Sequence, residues 1–272
     1  MNNALTESEA FAKQIRILTL KMVTRAKASH IGSAFSIADL IAVLYVHILR
    51  FNPSDPRSID RDRLILSKGH ACSIVYAALN QLGWVSEEEL DTYGNDLSDF
   101  MTHISHHVTG VEFSTGSLGH GLPFGVGKAL AAKIQKTRWR SFVILSDGEM
   151  DEGSNWEALM FAAHHKLDNL VAVIDYNKLQ SLDSVSNTLE LEPLREKLLA
   201  FGWSVREVDG HDHNAIIENL GRLPWDSRKP SVLIAHTVKG KGVSFMENSI
   251  KWHYKSPTQD EYNRALLELN NA

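Results

Sequence analysis

Short apolar runs alternate with helical segments through the second half of the chain, and this alternation constrains the fold more than any other feature. The apolar runs predict strands at residues 142–145, 170–174, 203–208 and 231–236, and the segments between them predict helices at residues 154–166, 192–200 and 214–223. Strands that alternate with helices in this way predict an α/β fold in which helices cover both faces of a mostly parallel sheet. Ligands bind such sheets beyond the carboxyl ends of the strands.

The first half of the chain contributes helices and one further strand. Apolar residues at helical spacing predict a first helix that ends near Lys27, and Ser36-Ile37-Ala38-Asp39 has the spacing of a capping box that begins a second helix. A short apolar run at residues 64–66 predicts a strand, which a helix at residues 71–82 follows. Residues 95–115 show no steady period and predict a long loop of the kind that often carries function.

Composition and charge exclude several classes of protein. The 272 residues include 28 Lys and Arg against 33 Asp and Glu, so the chain lacks the basic excess that nucleic-acid binding favours. Its apolar stretches are shorter than the roughly 20 residues of a membrane-spanning helix, so no membrane contact is expected. The first residues do not resemble a signal peptide, and the single cysteine, Cys72, cannot form an internal disulfide, which favours the cytoplasm. No repeat or linker divides the sequence, so residues 1–272 are predicted to form a single domain.

Polar residues follow two successive predicted strands. The segment Ser146-Asp147-Gly148 comes directly after the strand at residues 142–145, and Asn177 follows the next strand along the chain. If the two strands are neighbours, the Asp147 carboxylate and the Asn177 amide project from the same edge of the sheet. Both are oxygen ligands for a hard cation, and Gly148 lets the backbone approach phosphate oxygens, so the pattern predicts a magnesium diphosphate site. Asp and Asn also cap turns very often, which is the alternative explanation for each residue alone.

Several segments of the chain, in order, resemble the amino-terminal half of transketolase. Asp-Gly-Glu at a strand end, followed after a helix by a strand that ends in Asn, is similar to the thiamine diphosphate motif of that family. The resemblance implies the thiamine diphosphate-binding fold, specifically its diphosphate-binding domain. The segments that carry it are 28–32, 66–71, 110–119, 146–153, 175–177 and 252–253.

The resemblance also implies a set of cofactor-binding residues. Asp147, Asn177 and the backbone carbonyl of Leu179 match the ligands of Mg²⁺, for which Ca²⁺ or Mn²⁺ can substitute. Glu152 and Glu157 match a pair that links two active sites across the dimer interface. The residues that match contacts to thiamine diphosphate are His70, Gly116, Ser117, Leu118, Ser146, Gly148, Asn177 and His253, with Glu152 and Glu157 counted among them.

Four histidines match positions that line the family's substrate channel and that we expect to be catalytic: His30, His70, His103 and His253. Proton transfer to and from sugar hydroxyls near neutral pH needs groups of pKa about 6.5, which imidazole provides. The loop that holds His103 also contains His106 and His107, and the sequence leaves open which of the three lines the channel.

The family's pattern is not followed everywhere, and three departures concern the substrate. Ser146 replaces a glycine, Ile31 replaces a proline and His120 replaces a glutamine, which puts the identity of the sugar in doubt. In the family, the carboxylate that activates the cofactor belongs to a second, pyrimidine-binding domain, and the sequence ends at Ala272.

The resemblance to the family implies one subunit of a split transketolase. It would transfer a two-carbon ketol unit from a ketose, expected to be phosphorylated, to an aldose. A separate C-terminal subunit would complete an α2β2 assembly. The alternatives are the α subunit of a 2-oxoacid dehydrogenase, a non-catalytic cofactor-binding subunit, and a transketolase specialised for an unusual sugar.

Overall fold

The computed structural model describes residues 2–271, and among these the side chains of residues 7–271. Its centre is one five-stranded sheet in the order β1-β2-β3-β5-β4, and every neighbouring pair of strands is parallel. The strands are β1 (Arg63–Leu66), β2 (Ser141–Ser146), β3 (Leu170–Tyr176), β4 (Ser204–Asp209) and β5 (Ser231–His236). The predicted α/β fold with a parallel sheet is confirmed, and each predicted strand is present within two residues of its expected bounds.

Helices cover both faces of this sheet, as the continuous apolar strands require. Along β2, Phe142 and Ile144 belong to one hydrophobic core, whereas Val143 and Leu145 belong to the other. Successive strand residues point to opposite faces, so a strand that is apolar at every position must be buried on both sides. All seven residues of β3 are buried, which places this strand at the centre of the molecule.

The helices divide between the two faces. The α-helices are α1 (Asn2–Ala26), α2 (Ile31–Ser36), α3 (Ala38–Val43), α4 (Cys72–Gln81), α5 (Glu87–Leu90), α6 (Gly121–Gln135), α7 (Gly153–His164), α8 (Val185–Thr188), α9 (Leu194–Ala200), α10 (His213–Leu220) and α11 (Gln259–Asn271). Helices α1, α4, α10 and α11 contribute to the first core, and α6, α7 and α9 to the second. Short 3₁₀ turns at Gly69–Ala71, Gly148–Asp151 and Ile250–His253 lie beside strand ends or loops. None of the described helices has both the length and the apolar character that crossing a bilayer demands.

The capping box predicted at Ser36 is wrong. Residues Ile31–Ser36 are themselves helical, and α3 begins at Ala38 without a side-chain cap. The Ser36 hydroxyl instead donates its one proton between two acceptors, Asp175 at 2.6 Å and the Ser33 carbonyl at 2.9 Å. A buried carboxylate from a distant strand therefore uses the hydroxyl that the sequence pattern assigned to a helix start.

Helix α6 was not predicted, and its glycines explain why. Gly121, Gly125 and Gly127 lower helix propensity in the first half of the segment. A Cβ added at Gly125 would lie 2.4 Å from a methyl group of Val143, so glycine at this position lets α6 pack closely on β2. Gly125 therefore allows the close packing of α6 on the sheet and also lowers the helix propensity on which a prediction from sequence depends.

Candidate active site

A cavity of about 230 Å³ opens at the carboxyl-terminal edge of the sheet, where the sequence predicts a ligand site. It is formed by segments that follow β1, β2, β3 and β5, together with loops from elsewhere in the chain. The lining residues are His30, Ser33, Lys68, His70, His103, Gly116, Leu118, Ser146, Asp147, Gly148, Asn177, Leu179, Gln180, Ser181, Lys239, His253 and Tyr254. The cavity thus brings together most of the residues singled out in the sequence.

The ends of β2 and β3 place Asp147 beside the segment that contains Asn177. Ser146 is paired with Asp175 in the parallel register, so the two strands are neighbours, as the predicted site requires. One carboxylate oxygen of Asp147 accepts from the amide of Lys178 at 2.5 Å, and the other accepts from the amide of Gly148 at 2.8 Å. The two strand ends therefore meet through the Asp147 side chain.

Burial makes Asp147 a strong site for a cation. Its exposed fraction is 1%. Removal from water, with the nearby Asp175 carboxylate as a second cause, raises the pKa of Asp147 to about 7. A buried carboxylate of this kind is stabilised by either a proton or a positive ion, so at neutral pH it favours a bound cation.

The oxygen atoms around Asp147 fit a hard divalent cation. The Asn177 amide is held in place because its Nδ2 donates to Asp175 at 3.0 Å. The carbonyl of Leu179 accepts from the Lys239 ammonium at 2.8 Å, which shows that this carbonyl faces a position suited to positive charge. Among the described residues, no three His, Cys, Asp or Glu side chains group so as to hold an ion. A cation here would depend on a carboxylate, an amide and a carbonyl, the hard oxygen donors that Mg²⁺ prefers, with phosphate oxygens completing the set.

The four predicted channel histidines form one cluster. The ring of His30 lies 5.0 Å from those of His70 and His253 and 5.8 Å from that of His103, between ring centres. His70 and His253 are 5.6 Å apart. Of the histidines in the long loop, His103 lines the cavity, whereas the exposed His106 bonds the Ser114 hydroxyl at 2.7 Å.

These imidazoles are less basic than the sequence analysis expects. Burial lowers the pKa of His30 to about 4, with electrostatic interactions with His103 and Lys239 as further causes. Burial and the Lys239 ammonium lower the pKa of His253 to about 3. Burial also holds the pKa of His70 well below its usual value and lowers that of His103. The expectation that these rings have ordinary imidazole pKa values is therefore wrong. Their pKa values are lowered because the rings are buried against one another and near the Lys239 ammonium, so all four are neutral at pH 7.

His30 is placed in the cluster by a strained backbone. It lies at the start of α2 with φ of 74°, in the left-handed region that favours glycine. Its amide donates to the carbonyl of His253 at 2.8 Å, which fixes the two histidine segments against each other. The strain is thus compensated by contacts that hold two rings of the cluster together.

Two lysines in the cavity were missed by the sequence analysis. Lys68 is fully buried and donates to Asp175 at 2.5 Å and to the Ser33 carbonyl at 2.9 Å. Lys239, also buried, donates to the carbonyls of Leu179 and Gln180 and lies 3.1 Å from His253 Nδ1. Their positions in the sequence could have identified them, because Lys68 follows the predicted strand β1 and Lys239 follows β5. Ligands bind at the carboxyl ends of such strands.

Lys239 carries its positive charge in a site that only partly stabilises it. Burial lowers the pKa of Lys239 to about 8, although the Asp147 carboxylate opposes this. Its ammonium therefore lies among carbonyl oxygens and an imidazole with no close carboxylate bonded to it in the described structure. An anionic ligand in the cavity would stabilise this charge.

The segment 116–119 reaches the cavity mouth. Gly116 lies so close to His103 that an added Cβ would be 3.2 Å from the ring, and Leu118 also lines the cavity. The buried Glu149 fixes this segment by accepting from the Gly119 amide at 3.0 Å. The remaining predicted residues do not line the cavity and are exposed: Ser117, Glu152 and Glu157.

Comparison with known proteins assigns the arrangement to a family. Residues 7–268 match the family described as "Transketolase, thiamine diphosphate binding domain". The chain is 42% identical to a protein of Phocaeicola vulgatus named as a subunit of apulose-4-phosphate transketolase, over 92% of this chain and 89% of that protein. It is 40% identical to the protein of the same name from Actinobacillus succinogenes, over 98% of each. It is 38% identical to a 6-deoxy-6-sulfo-D-fructose transketolase subunit of a Clostridium species, over 95% of this chain and 94% of that protein.

Solved structures agree with the sequence relatives. Transketolase from Leishmania mexicana superposes with a TM-score of 0.91 at 29% identity, over 97% of this chain and 41% of that one. Transketolase from Campylobacter jejuni superposes with a TM-score of 0.91 at 31% identity, over 98% of this chain and 43% of that one. The chain thus spans about two fifths of these solved transketolases. With the fold, the cavity and the matched segments in agreement, the chain belongs to the transketolase family and corresponds to its thiamine diphosphate-binding domain.

Proposed function

We propose that this chain is the cofactor-binding subunit of a split, Mg²⁺-dependent transketolase that transfers a two-carbon ketol unit from a ketose phosphate to an aldose. The observation that carries the proposal is a single cavity in which the Asp147 site, the Lys239 ammonium and four neutral histidines converge. Two relatives that this chain matches over most of their length are themselves named as single subunits of a transketolase, which supports a separate partner.

The residues of the cavity divide between a metal ion and the cofactor. Asp147, Asn177 and the carbonyl of Leu179 would hold Mg²⁺, or Ca²⁺ or Mn²⁺ in its place. Thiamine diphosphate, when bound, supplies the electron sink that allows the carbon–carbon bond beside a ketose carbonyl to break. The other cofactor contacts proposed are those of His70, Ser146, Gly148, Lys239 and His253 to the diphosphate, and of residues 116–118 to the pyrimidine ring.

The histidines would move protons at the substrate. A neutral imidazole has one nitrogen that donates and one that accepts, so His30, His70, His103 and His253 can bind sugar hydroxyls in either sense. The Lys239 ammonium, 3.1 Å from His253 Nδ1, must donate to that nitrogen, which leaves Nε2 of His253 carrying the proton. This ring is therefore prepared to donate from Nε2 to an oxygen that gains negative charge.

A partner subunit would add a further catalytic group to the cavity. A C-terminal subunit with a pyrimidine-binding domain, in an α2β2 assembly, would bring the carboxylate that activates the cofactor. Ser117, Glu152 and Glu157 are exposed and so accessible to a second subunit or a second copy. We place the enzyme in the cytoplasm, acting on sugar phosphates, with residues 1–272 as one domain.

Binding of the cofactor tests the site directly. A calorimetric titration of the chain with thiamine diphosphate in saturating Mg²⁺ should show binding, and chelation of the metal should abolish it. Asp147→Asn should abolish this metal dependence, whereas Asp183→Asn, on an exposed loop nearby, should not change it. Equal affinity of wild type and Asp147→Asn would overturn the metal assignment.

Activity with the partner tests the reaction. The purified chain mixed with a candidate C-terminal transketolase subunit should transfer a ketol unit from a ketose phosphate, and neither of the two chains should do so by itself. Activity with a 2-oxoacid instead would indicate a 2-oxoacid dehydrogenase-like enzyme. Tight cofactor binding without turnover of either substrate class by the pair would indicate a non-catalytic role.

A further inference from the structure

A buried carboxylate outside the cavity binds three charged or polar side chains. Asp39, on α3, accepts from Arg16 of α1 at 2.6 and 2.9 Å. Its oxygens also contact His211 Nδ1 at 2.6 Å and His213 Nε2 at 3.2 Å. Although burial alone would raise it, Arg16 and the two histidines hold the pKa of Asp39 well below its usual value, so the carboxylate is ionised. None of these residues lines the cavity of the candidate active site.

The two histidines differ in what their second nitrogen contacts. His213 Nδ1 lies 2.7 Å from the hydroxyl of Ser8 on α1. His211 Nε2 lies 2.8 Å from the backbone amide of Val238. His213 therefore connects Asp39 to a second residue of α1, whereas His211 connects it to the residue just before Lys239.

The tautomer of His211 follows from this contact. A backbone amide can only donate, so Nε2 of His211 must accept and Nδ1 must carry the proton. Nδ1 then donates to Asp39, and the carboxylate fixes both the tautomer and the orientation of the ring. The amide of Val238 is thus satisfied only while the His211–Asp39 pair is intact.

The residues on both sides of Lys239 are tied to the same carboxylate. Val238 is bound through His211, and the carbonyl of Lys241 accepts from Nε of Arg16 at 3.1 Å. Arg16 in turn binds Asp39. The loop between these two points carries Lys239 into the cavity, where its ammonium contacts the Leu179 and Gln180 carbonyls.

We propose that Asp39, Arg16 and His211 form a positioning network that sets the location of the Lys239 ammonium for the cofactor's diphosphate. The inference rests on the proposed function, in which Lys239 binds that anion. The three residues touch neither cofactor nor substrate and act through the backbone of residues 238–241.

Paired variants of the two histidines separate positioning from general stability. His211→Asn places an amide near Nδ1 and keeps a contact to Asp39, but offers no acceptor to Val238. His211→Gln places its amide oxygen near Nε2 and can still accept from Val238. His213→Ala removes another hydrogen-bond partner of Asp39. The bonds of His213 to Asp39 and Ser8 do not involve residues 238–241.

The affinity for thiamine diphosphate in saturating Mg²⁺ is the first readout. Loss of one buried hydrogen bond predicts that His211→Asn binds roughly fivefold more weakly. His211→Gln and His213→Ala should stay within about twofold of wild type on the same reasoning. If wild type binds and His211→Asn and His213→Ala weaken binding equally, or not at all, the network does not position Lys239. If wild type itself fails to bind, the proposed function fails instead.

Amide hydrogen exchange gives a readout that does not depend on the cofactor. The Val238 amide should be protected in the unliganded wild-type chain, become exposed to exchange in His211→Asn, and remain protected in His211→Gln and His213→Ala. Rapid exchange at Val238 in wild type would overturn the proposal even if every variant folds poorly.

Discussion

Replacing Asp175 with Asn tests the buried ion pair that it forms with Lys68 in the wall of the cavity. Asp175 and Lys68 have fully buried side chains, and the lysine nitrogen lies 2.5 Å from the carboxylate. Lys68, Ser36 and Thr237 hold the pKa of Asp175 below its usual value although burial alone would raise it, so the pair is ionised. The substitution keeps the size of the side chain and removes only the charge.

The expected loss of stability is large because the lysine stays behind. Breaking a buried pair by removing one charge costs about 3–5 kcal/mol, since the remaining ion is buried without a partner. Lys68→Met together with Asp175→Asn removes both charges, so the double variant should lose less than the sum of the two single variants. The exposed pair Glu218–Arg222, at 2.9 Å, provides a control, and Glu218→Gln should cost less than about 0.5 kcal/mol.

Equilibrium unfolding in urea at pH 7 measures these differences. The free energies of unfolding of wild type, the two single variants and the double variant form a double-mutant cycle. A cost below about 1 kcal/mol for Asp175→Asn, or additive effects in the cycle, would show that water reaches Lys68 and would refute the reasoning from burial.

Three further outcomes are expected. Lys239→Met should weaken thiamine diphosphate binding by roughly 10-fold to 100-fold in titrations, because a charge-assisted contact is lost, whereas Lys229→Met on the surface should leave it unchanged. Gly125→Ala should destabilise the fold by about 1–3 kcal/mol through overlap with β2, and Gly127→Ala on the open side of the same helix should stabilise it by about 0.5–1 kcal/mol in thermal unfolding; equal effects would contradict the packing of α6. The unfolded chain protonates His253 near its usual pKa of 6.5 but the folded chain only near 3, so stability should fall as pH drops below 6.5, by up to about 1 kcal/mol per pH unit from this group. His253→Gln should reduce that slope, and identical slopes in unfolding series from pH 7 to 5 would count against a buried neutral ring.

The sheet was predictable because most of its strands are apolar at successive positions. A run such as residues 170–174 is typical of a strand buried on both faces, and the alternation of such runs with helical segments predicted the fold class. Helix α6 was not predictable by the same means, because Gly125 is selected by its contact with Val143 on a neighbouring strand. The capping pattern at Ser36 failed for a similar reason, since its hydroxyl binds Asp175, 139 residues away along the chain.

The candidate site was predictable where residues follow strands in a recognisable motif. Asp147 and Asn177 line the same cavity because β2 and β3 are neighbours, which strand order alone decides. Lys68 lies within one of the matched segments, but its pairing with Asp175 joins residues 107 apart and leaves no local pattern. The lowered pKa values of the histidines also depend on packing of separate loops, and spacing carries no information about that.

The left-handed backbone of His30 has a consequence for protein engineering. A residue with a side chain in this conformation lowers the free energy of unfolding by about 1–2 kcal/mol relative to glycine. A directed-evolution campaign that selects only for heat resistance should therefore enrich glycine at position 30 and discard the imidazole. Libraries for a more thermostable enzyme therefore need the codon for His30 held fixed. In an unrestricted library, the degree of enrichment of glycine at position 30 would measure how much folding stability the chain loses by keeping the imidazole.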